Sequence, residues 1–195
     1  MRSTTFTLRE ALVRLVVDPS GLVCGTLDDL SVTPGETTRD AVDLVLVDEG
    51  LAFVVSAPGP LELEPRHLVA SIADHDRIHG DPDPEVVRLR ADVLGRRALD
   101  LAEGHVARVV DIVVTQSGGA TVVVAVLLRG PRLLTPATRR DWAHVIPLDG
   151  LLSGRATGAW RARWADVPAA RRVALLAALR PDERQRAAAI LGPHA

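Results

Sequence analysis

The chain has no lysine, no asparagine and no tyrosine, and only one cysteine, Cys24, in 195 residues. A single cysteine excludes a disulfide framework and a thiolate metal site within one chain. Its setting, "GLVCGTL", is that of a small residue in a strand. Without lysine there is no Gly-rich phosphate loop, and neither a GxGxxG fingerprint nor a GxSxG elbow occurs. Aromatic residues make up 3% of the chain, so its core must be aliphatic, built from Val, Leu, Ile and Ala. Long apolar runs are missing as well. Strictly apolar runs such as Val122–Leu128 reach seven residues, far below the roughly 20 that span a bilayer. The N-terminus, "MRSTTFTLREALVRLVV", lacks the continuous apolar segment of a secretory signal. These absences lead us to expect a cytoplasmic protein with no membrane insertion. Every strongly basic residue is Arg, which we read as a coding bias and not as an Arg-based function.

What is present is an uneven charge. Hydrophobic residues at 47% and charged residues at 25% describe a globular chain, long enough for one ordinary domain or two small ones. Residues 1–85 carry 6 Arg against 16 acids, whereas residues 86–195 carry 17 Arg against 9 acids. A sign change of this kind points to two units, one acidic and one basic.

An internal repeat supports the division. In "VRLVVDPSGLVCGTLDDLSV" (13–32) and "GRRALDLAEGHVARVVDIVV" (95–114), Asp18 matches Asp100 and Asp29 matches Asp111, both at an offset of 82 positions. A glycine follows the first Asp in each, Gly21 and Gly104. Two Val-rich runs then flank Asp48-Glu49-Gly50 in the first copy and Ser117-Gly118-Gly119 in the second, each reading as a hairpin. Each copy closes on a short segment, "PRHLVASI" (65–72) and "DWAHVIPL" (141–148), which puts His67 and His144 in similar places. Short strands with turn residues every 8–12 positions favour small β-barrels or sandwiches.

This pattern, an Asp and a Gly before an apolar strand ending in Asp, then a hairpin and a short apolar close, resembles the PRC-barrel family. The second copy is also similar to the PRC-barrel-like segment of some MgtE-type magnesium transporter relatives. There the strand reads close to "VVRVND", and here it is "VARVVD", with Val110 in place of the Asn. The resemblance implies two tandem PRC-like β-barrels, over residues 1–76 and 86–150.

Between them lies "ADHDRIHGDPDPE". His75 and His79, four apart with Asp74 and Asp76 nearby, would share a helical face and could ligate a metal. Gly80, Pro82 and Pro84 end such a helix at once, and Asp81, Asp83 and Glu85 do not follow an EF-hand alternation. We therefore read 77–85 as a linker and expect no metal site.

Gly150, Gly154 and Gly158 mark 151–165 as a second linker. Trp160 and Trp164 beside Arg161 and Arg163 could stack on nucleic acid bases, but we read the tryptophans as pinning the tail to the second unit. Residues 166–192 predict a helical hairpin. Asp166 would cap the first helix, with Pro168 in its first turn and Val173, Leu175, Leu176 and Leu179 inward. After Pro181, Asp182 and Glu183 would open the second, with Ala187, Ile190 and Leu191 inward. This hairpin resembles one repeat of the MgtE-type N-terminal domain. The magnesium-sensing acids of that family do not carry over, because a helix-start role accounts for Asp182 and Glu183.

The fold expected is thus mainly β with a C-terminal α-helical hairpin. His67, His144, Ser117 and the pairs Asp28-Asp29 and Asp48-Glu49 read as structural or solvated groups. We expect no catalytic residue, no cofactor and no enzyme activity. The function expected is a cytoplasmic adaptor or regulatory module binding a protein partner, linked to magnesium transport by resemblance. The alternative is an RNA- or ribosome-associated factor using the basic half, since PRC-barrel-like domains also occur in a ribosome maturation factor. A third is a homo-oligomer in which an acidic unit meets a basic one.

Overall fold

Val-rich runs that alternate inward and outward residues form strands wherever a hydrophobic face can be buried. The computed structural model describes residues 5–35, 40–48, 50–55, 59–72, 83–130 and 136–192. The first half contains β1 (Thr5–Thr7), α1 (Leu8–Ala11), β2 (Leu15–Val17), β3 (Val23–Val32), β4 (Asp40–Asp48), β5 (Leu51–Val55), β6 (Leu61–Leu63) and β7 (His67–Ala70). The second begins with β8 (Val87–Arg88) and a π-helical turn (Leu89–Val93). It continues with β9 (Arg97–Asp100), β10 (His105–Ser117), β11 (Ala120–Arg129), β12 (Thr138–Asp141), a 3-10 turn (Trp142–His144) and β13 (Val145–Pro147). Four helices follow: α2 (Leu148–Leu152), α3 (Thr157–Ala165), α4 (Ala169–Ala177) and α5 (Pro181–Leu191).

The protein is mainly β with C-terminal helices. Its thirteen described strands form one open sheet in the order β13-β9-β10-β11-β4-β3-β2-β7-β6, and not two clearly separate barrels. Off this path, β1 pairs with β10, β12 with β11, β5 with β4 and β8 with β3. The halves join where Val122 and Val123 of β11 face Ala41 and Asp40 of β4.

The 82-residue repeat is visible in the hydrogen bonds. Arg14 O accepts from Leu27 N at 2.9 Å, and Arg96 O from Val109 N at 2.9 Å. Both long strands carry a bulge at the same place, at Asp28 between Leu27 and Asp29, and at Val110 between Val109 and Asp111. The registers Leu30↔Leu44 and Ile112↔Val126 make β4 the equivalent of β11. The two hairpins matched on sequence, at Asp48 and at Ser117, are therefore not equivalent. The strand that pairs with β4, β5, corresponds instead to β12 on β11. His67 and His144 are not equivalent either: β7 runs parallel to β2, β13 runs antiparallel to β9, and His144 precedes β13 in the 3-10 turn.

The opening segment of each copy crosses to the other copy. β1 lies on β10 with Phe6 opposite Val114, and β8 lies on β3 with Val87 opposite Val32. The turn that follows is capped by the other unit's repeated aspartate. Asp111 Oδ1 accepts from Arg9 N at 3.3 Å, while Asp29 Oδ1 accepts from Arg90 N at 2.6 Å and Asp29 Oδ2 from Ala91 N at 3.1 Å. Phe6, Leu8 and Ala11 on one side, and Val87, Leu89 and Val93 on the other, enter one continuous apolar core.

The tail differs from its expected form. Residues 151–165 are largely helical, because Trp160 and Trp164, one turn apart, give α3 a buried face that outweighs the low helix propensity of Gly158. Asp166 closes α3, and Pro168 holds the cap position of α4. Leu175, Leu176 and Leu179 are buried as the spacing predicts, but Val173 is 64% exposed. In α5 the Glu183 carboxylate accepts from Arg180 N at 3.2 Å, the helix-start role expected of it.

Candidate protein-docking face

Most polar residues singled out on sequence have structural duties. Cys24 is part-buried and its Sγ lies 3.5 Å from Leu22 O; burial raises its pKa, which disfavours a thiolate. His67 pairs with Glu64 at 3.1 Å. Asp18 and Asp100 each cap the turn that follows them, with Asp18 accepting from Ser20 N and Leu22 N, and Asp100 from Ala102 N and Glu103 N. Ser117 opens the β10–β11 turn, where Gly118 and Gly119 take φ of +62° and +87°, a conformation that favours glycine. Asp28 binds Arg88 and Arg90 across the unit boundary. Asp29 is fully buried, and burial pushes its carboxyl up to about 6 against the pull of the N–H groups of Arg90, Ala91 and Leu30 and the charge of Arg88. The Arg180 hydrogen bond draws Glu183 down to about 2, and Arg97 adds a second ion pair at 2.9 Å.

His75, His79, Asp74, Asp76 and Asp81 lie outside the described residues, as does Glu49. Among the described residues no three His, Cys, Asp or Glu side chains are grouped to hold a metal. Asp83 caps Glu85 N at 2.8 Å.

The Arg/Trp mixture of the tail turns inward. Trp160 and Trp164 are buried, and Trp142 meets Trp160 edge-on with ring centroids 6.2 Å apart. The Arg163 guanidinium lies 5.1 Å from the Trp142 ring and 4.9 Å from the Trp160 ring, and it donates to the carbonyls of Trp142 and Val145. These indoles support the tail and offer no free ring for a base. His144 is exposed and lines, with Arg163, Asp166 and Arg171, a cleft of about 640 Å³ beside α3 and α4. Arg163 and Arg171 already donate to backbone carbonyls there.

The surface that stands out is apolar and lies on the first unit. Strand register places Leu15, Thr26, Val47 and Ala52 in one outward row across β2, β3, β4 and β5, with Val17 opposite Val23 in the next. Val16, Leu27, Leu46 and Phe53 point the other way into the core. Val13 is 78% exposed, Leu22 67%, Val23 57%, Leu51 62% and Leu15 49%. Val13, Leu15, Val23 and Val47 line a groove of about 500 Å³ that ends at Asp48. Exposed apolar residues grouped around one groove make this face the candidate docking surface.

The second unit shows what such a face can carry. At the positions of Leu15, Thr26 and Val47 it has Arg97, Arg108 and Arg129, aligned across β9, β10 and β11. The counterpart of Val17 is Leu99, which is completely buried. The C-terminal helices lie there: Glu183 of α5 binds Arg97, and Arg171 of α4 donates to Leu101 O at 3.0 Å. Sequence reasoning missed the groove because register across four strands is invisible in one strand's pattern. The usable signal was Val13 and Leu15 on one side of the repeat against Gly95 and Arg97 on the other. Compared with known proteins, the chain matches no family model and no curated sequence.

Proposed function

We propose that this protein is a non-catalytic adaptor or regulatory module that binds a protein partner through the outward face of β2–β5. The observation that carries the reading is the groove of Val13, Leu15, Val23 and Val47, left open to solvent among the described residues. We read the two half-sheets as PRC-barrel-like units and α4–α5 as one MgtE-like repeat, which gives the adaptor a link to magnesium transport and a cytoplasmic setting. The residue patterns in the two copies and in the tail support that link. No helix of the described residues is long and apolar enough to cross a membrane.

Capture of the tagged full-length protein from a native-host lysate with solubilised membranes tests this, with nuclease present and a Leu15→Asp/Val23→Asp variant in parallel. The expected result is a protein partner kept by the wild type and lost by the variant. An identical set recovered by both overturns the reading.

One observation favours the RNA reading. Arg108 and Arg129 sit directly opposite each other, Arg139 is exposed on the neighbouring strand, and none of the three pairs with a carboxylate among the described residues. Facing like charges are unfavourable without a counter-charge. RNA binding that weakens steeply with salt, and a shallower salt slope in Arg108→Ala/Arg129→Ala, would support it.

A further inference from the structure

We propose that the groove on the first unit takes an amphipathic α-helix of a partner protein, apolar along its centre and basic on its flanks. The inference rests on the docking reading above and names the chemistry of the partner.

Three observations fix the occupant. The first is the internal symmetry. The equivalent face of the second unit is already covered by helices of this chain, with α5 over Arg97 and α4 over the β9–β10 turn. The groove lies on a sheet face, since β2 is paired on both sides by β3 and β7 and β3 by β2 and β4. Its floor therefore offers no free strand edge to an extended peptide, whereas helices pack naturally on sheet faces.

The second is side-chain chemistry. Where α5 brings Glu183 to Arg97, the first unit has Leu15. A carboxylate at that point of an incoming helix would be desolvated without a partner, so the helix needs an apolar residue there. The rim is acidic: Asp48 lies at one end of the groove, and exposed Glu62 sits on β6 at the other side of the face. The bases beside it are engaged: Arg14 by the carbonyls of Glu10, Glu64 and Pro65, His67, opposite Leu15, by Glu64, and Arg88 and Arg90 by Asp28, which also lines the groove. Basic flanks on the partner match this rim.

The third is backbone conformation. Val13 has φ +59° where its equivalent, Gly95, has φ +76°. A β-branched residue is strained there, and such strain concentrates at ligand-binding sites. At this position the first unit keeps an apolar side chain, in the groove, despite that cost.

The test uses the full-length protein and two synthetic helix-forming peptides with the same leucine stripe, one flanked by Arg and one by Glu. Binding is read by fluorescence anisotropy and mapped by amide chemical shifts. The Arg-flanked peptide is expected to bind about tenfold or more tightly than the Glu-flanked one, with shifts centred on Val13, Leu15, Val23 and Val47. Asp48→Arg, an exposed change that leaves the core intact, should narrow or reverse the preference, and Leu15→Asp should abolish binding. Equal affinity for the two peptides, shifts centred elsewhere, or a dimer that buries this face in place of the peptide each overturns the proposal. If a captured partner depends on Leu15 but docks through an acidic or extended segment, the helix proposal fails and the adaptor reading stands. If capture is indifferent to Leu15, both fail.

Discussion

At position 13 the chain adopts a left-handed conformation with a valine, and at position 95 it adopts the same conformation with a glycine. An L-residue in this region costs roughly 1–2 kcal/mol, while glycine carries an unfolded-state penalty of roughly 0.5–1 kcal/mol. Val13→Gly should therefore raise stability by about 0.5–1 kcal/mol, read as a higher urea midpoint at unchanged slope, while weakening binding in the groove. Unchanged stability would mean that Val13 is not strained. A second residue sets a pH dependence. Asp29 has its carboxyl raised from the ordinary 3.8 to about 6 in the folded protein. The folded state then holds a proton that the unfolded state has released, so stability falls as pH climbs from about 4 to about 6. Urea denaturation at several pH values should show this fall in the wild type and a flatter profile in Asp29→Asn. Equal slopes in the two proteins would assign the titration to another group. Neither feature was legible in the sequence. Asp29 showed as one half of a repeated pair, but its burial depends on a turn 61 residues away, and Val13 looked like any apolar residue entering a strand.

Helices and strands were legible in proportion to how much of their cause is local. The Val-rich strands, the Ser117-Gly118-Gly119 turn and the acidic start of α5 follow from periodicity, turn chemistry and capping, all contained within a few residues. α3 was hidden because three glycines spaced through 150–158 mimic a linker; the signal that could have found it is the i, i+4 spacing of Trp160 and Trp164. The hairpins were equated wrongly because two valine-rich arms around a glycine turn look alike, whereas the bulges at Asp28 and Val110 fix the true register. Those bulges also aim Asp29 and Asp111 at the turn arriving from the opposite unit. Asp111, half-buried with one weak cross-unit hydrogen bond, should cost about 0.5–2 kcal/mol when replaced by Ala. Asp29→Ala should cost more, about 1–3 kcal/mol, because it strands the buried N–H of Leu30 and the part-buried N–H groups of Arg90 and Ala91. Denaturation midpoints of the two variants decide this, and a larger loss at Asp111 would mean that the two crossings are not held in the same way.

At the scale of the whole molecule, the repeat and the charge split were both visible in the sequence, but their connection was not. Equivalence at an offset of 82 says which residues play the same role; it does not say that each copy lends its opening strand and turn to the other. That exchange packs Phe6 and Leu8 against β10 and Leu89 and Val93 against β3, within one shared core. The charge split meets at the same seam, where Arg88 and Arg90 of the basic half bind Asp28 of the acidic one. A fragment of residues 1–82 lacks β8, the π-helical turn and the β11 edge that pairs with β4, so it should not fold alone. Residues 83–195 lack β1 and α1, and should be expanded or aggregated. Mixed at equal concentration, the two should form a one-to-one complex with the sheet signal and a single cooperative melt. Their opposite charge should speed association at low salt and slow it as salt rises. Circular dichroism and stopped-flow mixing provide both readings. If residues 1–82 alone gave a native-like sheet spectrum and a cooperative transition, the crossing segments would be an ornament on two self-sufficient units. If neither fragment folds alone and the mixture does, the two copies are one folding unit, and the groove on the first is held in shape by the second.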